Sequence, residues 1–199
     1  MRRGICSPMK KITVIRHGMP AAHDKYYARK LLKGSDITNF INDWNSCELS
    51  PANRIPNVLR SAITDADKYI SSGLKRSIAS MRLLGIKDHD SLILINEAEM
   101  PHGFLKNIAF PLIVWEIIIR TLWIFGYKKN AESYSSFKER IGKAYAKIAA
   151  NSKKFNHIVV MGHGFANMQL KKELKRHKWN HVKHVDGRNY WSFDSFEKP

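Results

Sequence analysis

Apolar positions along the chain fall into short continuous runs separated by longer stretches of helical period. Ile12-Thr13-Val14-Ile15 is β-branched throughout and predicts a buried strand that stops at Arg16-His17-Gly18. Asp67 to Ser72 predicts a second strand ending at Gly73, and Ser91 to Ile95 a third that runs into Asn96-Glu97-Ala98-Glu99. His157 to Met161 predicts a fourth, ending at Gly162-His163-Gly164, and Asn189 to Phe193 a last one. Helical spacing covers 57–67 after Pro56, 74–84 before Gly85, 111–125, 133–150 and about 165–176. Residues 19–52 carry Pro20, Gly34 and Pro51 and read as irregular, with a short helix near 25–32.

Strands alternating with helices predict an α/β fold, a three-layer αβα sandwich around a mostly parallel central sheet. The expected organisation is an N-terminal tail over 1–10 and one domain over 11–199, with a helical cap-like insertion around 104–135. Ligands of such sheets bind beyond the carboxyl ends of the strands. Four runs end in reactive residues at that edge: Arg16-His17, the loop before Arg76, Glu99 and His163. One such residue would mean little, but four at one edge make a site.

Composition narrows the class without changing the fold. Apolar residues are 44% and charged residues 26%, which is globular rather than disordered. Cys6 and Cys47 stand far apart, which excludes a disulfide scaffold and a cysteine zinc site and favours a reducing compartment. The basic N-terminus is followed by an apolar run too short for a signal peptide, so cytoplasmic residence is expected. The net charge of +17 attracts anions of some kind: phosphorylated substrates, nucleic acid or anionic lipid. Its spread along the chain ranks general anion attraction above a dedicated nucleic-acid surface.

Histidines, arginines and a carboxylate without clustered aspartates suit phosphoryl transfer. Cationic donors stabilise the non-bridging oxygens, and the arginine fork can give one phosphate two bonds. A neutral imidazole is a competent nucleophile, and a carboxyl group must protonate the leaving oxygen and later activate water.

The set resembles the histidine phosphatase (phosphoglycerate mutase-like) superfamily, on its phosphatase branch. The residues that carry the likeness are Arg16-His17-Gly18 after a strand, Ser72-Gly73-Leu74-Lys75-Arg76, Glu99-Met100-Pro101-His102-Gly103, and His163-Gly164 after a late strand. Their order and spacing agree with the family across nearly the whole chain. The resemblance implies that His17 is the catalytic nucleophile and becomes phosphorylated. It implies that Arg16, Arg76 and His163 bind the phosphoryl oxygens, with His163 also catalytic, and that Glu99 is the proton donor. Glu97 ends the same strand and is the rival acid, ranked second because Gly103 keeps the Glu-x-x-x-Gly spacing with Glu99. No metal and no cofactor are expected.

The chain departs from the mutases after Gly18, where Met19-Pro20-Ala21-Ala22-His23 replaces their polar continuation. Hydrolysis of a phosphorylated small molecule is therefore the leading expectation. A protein phosphohistidine phosphatase acting on a phosphoprotein, a phosphoglycerate-type mutase, and a non-catalytic basic module for phospho-ligands or nucleic acid are the alternatives. His177, His181 and His184 have helical spacing and read as a basic exposed face rather than a metal site. The run Ile108 to Phe125 approaches a transmembrane helix in hydropathy, but Glu116 and Arg120 lie within it. A span there would also part Glu99 from His163, so no transmembrane span is expected. Core packing or a homodimer face is the first destination for this helix. The second is a wall of the substrate pocket that favours a phosphate ester with an apolar group.

Overall fold

The computed structural model describes residues 9–185 and 190–199. Its central sheet has six strands in the order β4-β3-β6-β1-β8-β7: β1 (Lys10–Arg16), β3 (Lys68–Ser71), β4 (Asp90–Ser91), β6 (His157–Gly162), β7 (Asn180–Val185) and β8 (Phe193–Lys198). β1 pairs with β6, β6 with β3 and β3 with β4, all parallel; β8 runs antiparallel to β1, and β7 antiparallel to β8. β1 and β6 are apolar because the sheet is covered on both faces. Of the helices, α3 (Asn57–Ile63) and α4 (Lys75–Leu83) supply the side that encloses Leu59, Met81, Val159 and Trp191. The other face carries α6 (Tyr134–Asn151) and α7 (Gly164–Arg176), which bury Phe137, Ile141, Ile148, Leu170 and Leu174 with Ile12 and Val160.

A third apolar cluster sits apart from these and belongs to a cap. It joins α1 (Ala22–Tyr27), β2 (Leu32–Lys33) and α2 (Gly34–Ser46) to β5 (Ala109–Phe110) and α5 (Leu112–Ile124). β2 and β5 form their own two-stranded pair. Tyr26, Leu32, Phe40, Trp115 and Ile119 fill this cluster, and Trp115 Nε1 donates to the Leu32 carbonyl at 2.8 Å. Gly34, a helix breaker by composition, opens α2 because a Cβ there would meet the Leu105 carbonyl oxygen at 2.3 Å.

Several expectations change. The run Ser91 to Ile95 gives only the short β4 and then a 3-10 turn over Ile93–Ile95. β4 is the edge strand, and among the described residues only β3 pairs with it, so the run has no second ladder to extend along. The last strand is Phe193–Lys198 rather than 189–193; Asn189 and residues 1–8 of the expected tail lie outside the described residues. His181 and His184 lie on strand β7, not on a helix. A register shift between His181 and Lys183 lets both imidazoles reach Asp194 Oδ1, at 2.8 and 2.7 Å. Among the described residues no helix is long and apolar enough to cross a membrane.

Candidate active site

The three parallel strands at the centre of the sheet deliver the site. β1 ends at Arg16 and leads into His17; β3 ends at Ser71, and α4 then begins with Arg76 in its first turn; β6 ends at Gly162 and leads into His163, the residue before α7. His17, Arg76 and His163 are all buried, and the two imidazole centroids lie 4.9 Å apart.

Hydrogen bonds orient each ring. His17 Nδ1 donates to the Gly18 carbonyl at 2.7 Å, which leaves the Nε2 lone pair as the reactive position, and Arg76 Nε donates to it at 3.2 Å. Gly18 is required there because a Cβ would strike Asn53 Oδ1 and the Trp191 ring, at 2.5 and 2.6 Å. Asn53 and Ser80 then fix the loop: Met19 N–H donates to Asn53 Oδ1 and Gly18 N–H to Ser80 Oγ. Ser72 Oγ lies 2.6 Å and Ser77 Oγ 3.2 Å from His163 Nε2. Ser72 Oγ also accepts the Leu74 N–H. His163 Nδ1, on the other side of the ring, is a buried atom with no hydrogen-bond partner among the described residues; with the ring hydrogen there, Nε2 accepts from the serine hydroxyls and Nδ1 has a bond to give. Arg76 Nη2 is in the same condition, while its Nη1 donates to the Trp44 carbonyl of α2 at 2.6 Å.

Burial, then the Arg76 guanidinium, hold the His17 imidazole well below its ordinary 6.5, against a smaller opposing effect of the Gly18 hydrogen bond. His163 is lowered in the same sense by burial, Arg76 and His17. Both rings are neutral near pH 7. Burial also lowers Arg76, and Glu97 opposes that. Charge-assisted donors surround a neutral nucleophile, the arrangement that an incoming dianion requires.

A cavity of about 340 Å³ opens beside this floor, lined by Arg16, Glu97 and Gly164 below and by Tyr27, Trp44, Glu116 and Arg120 above. The expected acid and its rival part company here. Glu99 Oε2 accepts the Glu132 N–H at 3.0 Å and lines a different cavity, with Glu132 and Arg140. Glu97 lines both cavities, and its carboxylate accepts the amides of Phe165 and Ala166, each at 3.1 Å, at the start of α7. The structure thus sets Glu97 in the same cavity as Arg16 and Glu99 outside it, although the Glu-x-x-x-Gly spacing ranks Glu99 first.

Sequence reasoning missed several residues at the site. Tyr190 lies under the Arg16 guanidinium at 4.7 Å and 5.9 Å from the His17 ring, and burial raises its phenol to about 12. Glu116 accepts the Tyr27 hydroxyl at 2.8 Å, and burial raises its carboxyl against the pull of Tyr27 and Arg120. Arg120 stands over the Phe165 ring at 4.5 Å. The Glu116/Arg120 spacing was legible as a polar stripe, but nothing in the sequence says that α1 and α2 close against it.

No protein-family model matches the chain, and no curated protein sequence does. Solved structures do match. A phosphoglycerate mutase from Bacillus anthracis is 16% identical, covering 98% of this chain and 91% of that one, with a TM-score of 0.58. The mycobacterial glucosyl-3-phosphoglycerate phosphatase solved with VO3 is 14% identical, covers 94% and 92%, and also scores 0.58. A phosphoserine phosphatase from Entamoeba histolytica, in complex with phosphoserine, is 14% identical, covers 94% and 89%, and scores 0.56. At these identities the likeness is one of fold: the chain has the phosphoglycerate mutase-like fold, as its sequence motifs imply.

Proposed function

We propose that the chain belongs to the histidine phosphatase superfamily and hydrolyses phosphate monoesters through a phosphohistidine on His17. The observation that carries this reading is the His17 imidazole, neutral by burial and with Nε2 turned towards Arg76 by its bond to the Gly18 carbonyl. Nε2 attacks phosphorus while Arg16, Arg76 and His163 Nδ1 hold the non-bridging oxygens. The bond from phosphorus to the leaving oxygen breaks, and the Glu97 carboxyl gives that oxygen its proton. Oε2 of Glu97 takes only the Phe165 amide, so it has room for that proton, whereas Oε1 takes both Ala98 and Ala166. The resulting carboxylate then removes a proton from water, and the oxygen attacks the phosphohistidine. Inorganic phosphate leaves, with His17 and protonated Glu97 restored. No step calls on a metal.

The cavity supports an ester with an apolar leaving group. Beside its charged residues stand Phe40, Trp44, Met100 and Phe165. The arrangement of α5 along that cavity is the pocket-wall reading of this helix rather than packing alone.

The test is turnover of 4-nitrophenyl phosphate with EDTA present, followed by capture of acid-labile, alkali-stable protein-bound phosphate. Wild type is expected to turn over and carry label, and His17→Ala to do neither. Activity surviving in His17→Ala overturns the mechanism. Better turnover of short sugar phosphates than of aryl or prenyl phosphates overturns the apolar leaving group alone.

A further inference from the structure

Helix α5 has two apolar sides, and only one of them is buried. Leu112, Trp115, Ile119 and Trp123 face the protein. On the opposite side Ile113 is 57%, Ile117 60% and Ile124 46% exposed, and Phe125 at the helix end is 85% exposed. Positions 113, 117 and 124 lie along one line of a helix, with Arg120, half-buried over the Phe165 ring, on the same line between Ile117 and Ile124. Leu105 and Ile108 extend exposed apolar surface into the segment before α5.

The charge along the chain on either side of these apolar positions is mostly of one sign. From Phe104 to Ala131 the sole acidic residue is Glu116, which turns inward to Tyr27. Lys106 precedes the helix and Lys128 and Lys129 follow it, all exposed. Lys33 stands on β2, which pairs with β5 just before the helix begins. A second copy laid on this face would bring like charges together, on chains that each carry +17. A polar protein surface would leave the isoleucines without a partner.

We infer that α5 docks on an anionic lipid bilayer, with Ile113, Ile117, Ile124 and Phe125 seated at the boundary between headgroups and acyl chains and the flanking lysines on the anionic headgroups. The helix lies in the interface and does not cross it. Thirteen residues give about 20 Å of helix, short of the ~30 Å hydrocarbon core. Because Ile117 also lines the cavity, docking places the cavity mouth at the lipid surface. The inference stands on geometry and charge and is independent of the proposed chemistry.

The experiment is sedimentation of the full chain with vesicles of phosphatidylcholine alone and of phosphatidylcholine mixed with phosphatidylglycerol, at about 0.15 M salt. Binding to the mixed vesicles, weakened by further salt, is expected, with little binding to phosphatidylcholine. The pair Ile113→Gln and Phe125→Gln, which leaves the charge unchanged and lies outside the cavity lining, is expected to weaken binding about tenfold or more. Lys128→Gln with Lys129→Gln is expected to reduce the salt dependence. Equal binding of the glutamine pair overturns the inference, because charge alone then holds the protein. So does absence of binding, or a dimer in solution that Phe125→Gln dissolves, which would assign the face to a second copy.

Discussion

The floor of the site and the cap above it are built on opposite principles. On the floor, His17, Arg76 and His163 are buried among backbone carbonyls and serine hydroxyls that leave each ring one orientation. The cap has its own small apolar core, keeps Glu116 and Arg120 partly buried over the cavity, and leaves one side of α5 in water. In the proposed reaction the floor acts on the phosphoryl group, and the cap selects what that group is attached to.

Arg76 is a hydrogen-bonded link between the two regions, and replacing it breaks the comparison most severely. Arg76→Lys keeps the charge but cannot hold His17 Nε2, the Trp44 carbonyl and a phosphoryl oxygen together. Its kcat/KM for 4-nitrophenyl phosphate is expected to fall by about 10²–10³. A loss below about tenfold would detach the guanidinium from the chemistry.

The two glutamates sharpen the boundary next. Glu97→Gln is expected to cost about 10²-fold in kcat on an alkyl phosphate and clearly less on 4-nitrophenyl phosphate, whose leaving group needs little protonation. Glu99→Gln is expected to change either by less than about threefold, since its carboxylate serves the Glu132 amide. The reverse ranking would restore the Glu-x-x-x-Gly assignment.

Trp115→Ala tests whether the cap is a separate unit. Removal of this buried indole is expected to lower stability by about 3–5 kcal/mol in urea unfolding. Faster amide exchange should be confined to α2 and α5, with β1 and β6 still protected. Uniform acceleration would merge the two regions into one.

The smallest effect is that of pH on the floor. His17 and His163 have folded pKa values well below 6.5, so as pH falls through 6.5 the unfolded chain takes up protons that the folded chain does not. Their contribution to stability is therefore full above 6.5 and declines below it, down to the folded values. The melting temperature is expected to drop by a few degrees between about pH 7 and about pH 5.5, while kcat/KM shows no inflection at 6.5 from His17. An acid limb centred on 6.5 that vanishes in no other histidine variant would show that the nucleophile titrates normally.

The floor was legible because its residues follow strands with short, buried β-branched runs, Ile12 to Ile15 in β1 and Ile158 to Val160 in β6. β1 and β6 announce their own termini, and Arg16, His17 and His163 follow from them. The cap was not legible, because its elements take their order from one another. α2 has polar residues over most of its length and opens on a glycine, so only the packing of Phe40 and Ile41 against α5 makes it a helix worth predicting. β7 and β8 escaped for a related reason. Asp194 and Ser195 are buried polar residues, paired to Lys171, His181, His184 and Thr13, and burial of that kind leaves no apolar signature. Glu97 was weighed and ranked second, since spacing counts residues and cannot see that one carboxylate meets the first amides of α7 and the other the Glu132 amide.

The bond from Arg76 to the cap goes to a main-chain carbonyl, not to the indole of Trp44. Every residue type offers that oxygen. The side chain at position 44 can therefore change over generations without loss of that bond, so long as the last turn of α2 keeps its place. The guanidinium that tethers the nucleophile needs no compensating change, so this protein could acquire a new substrate through cap mutations alone.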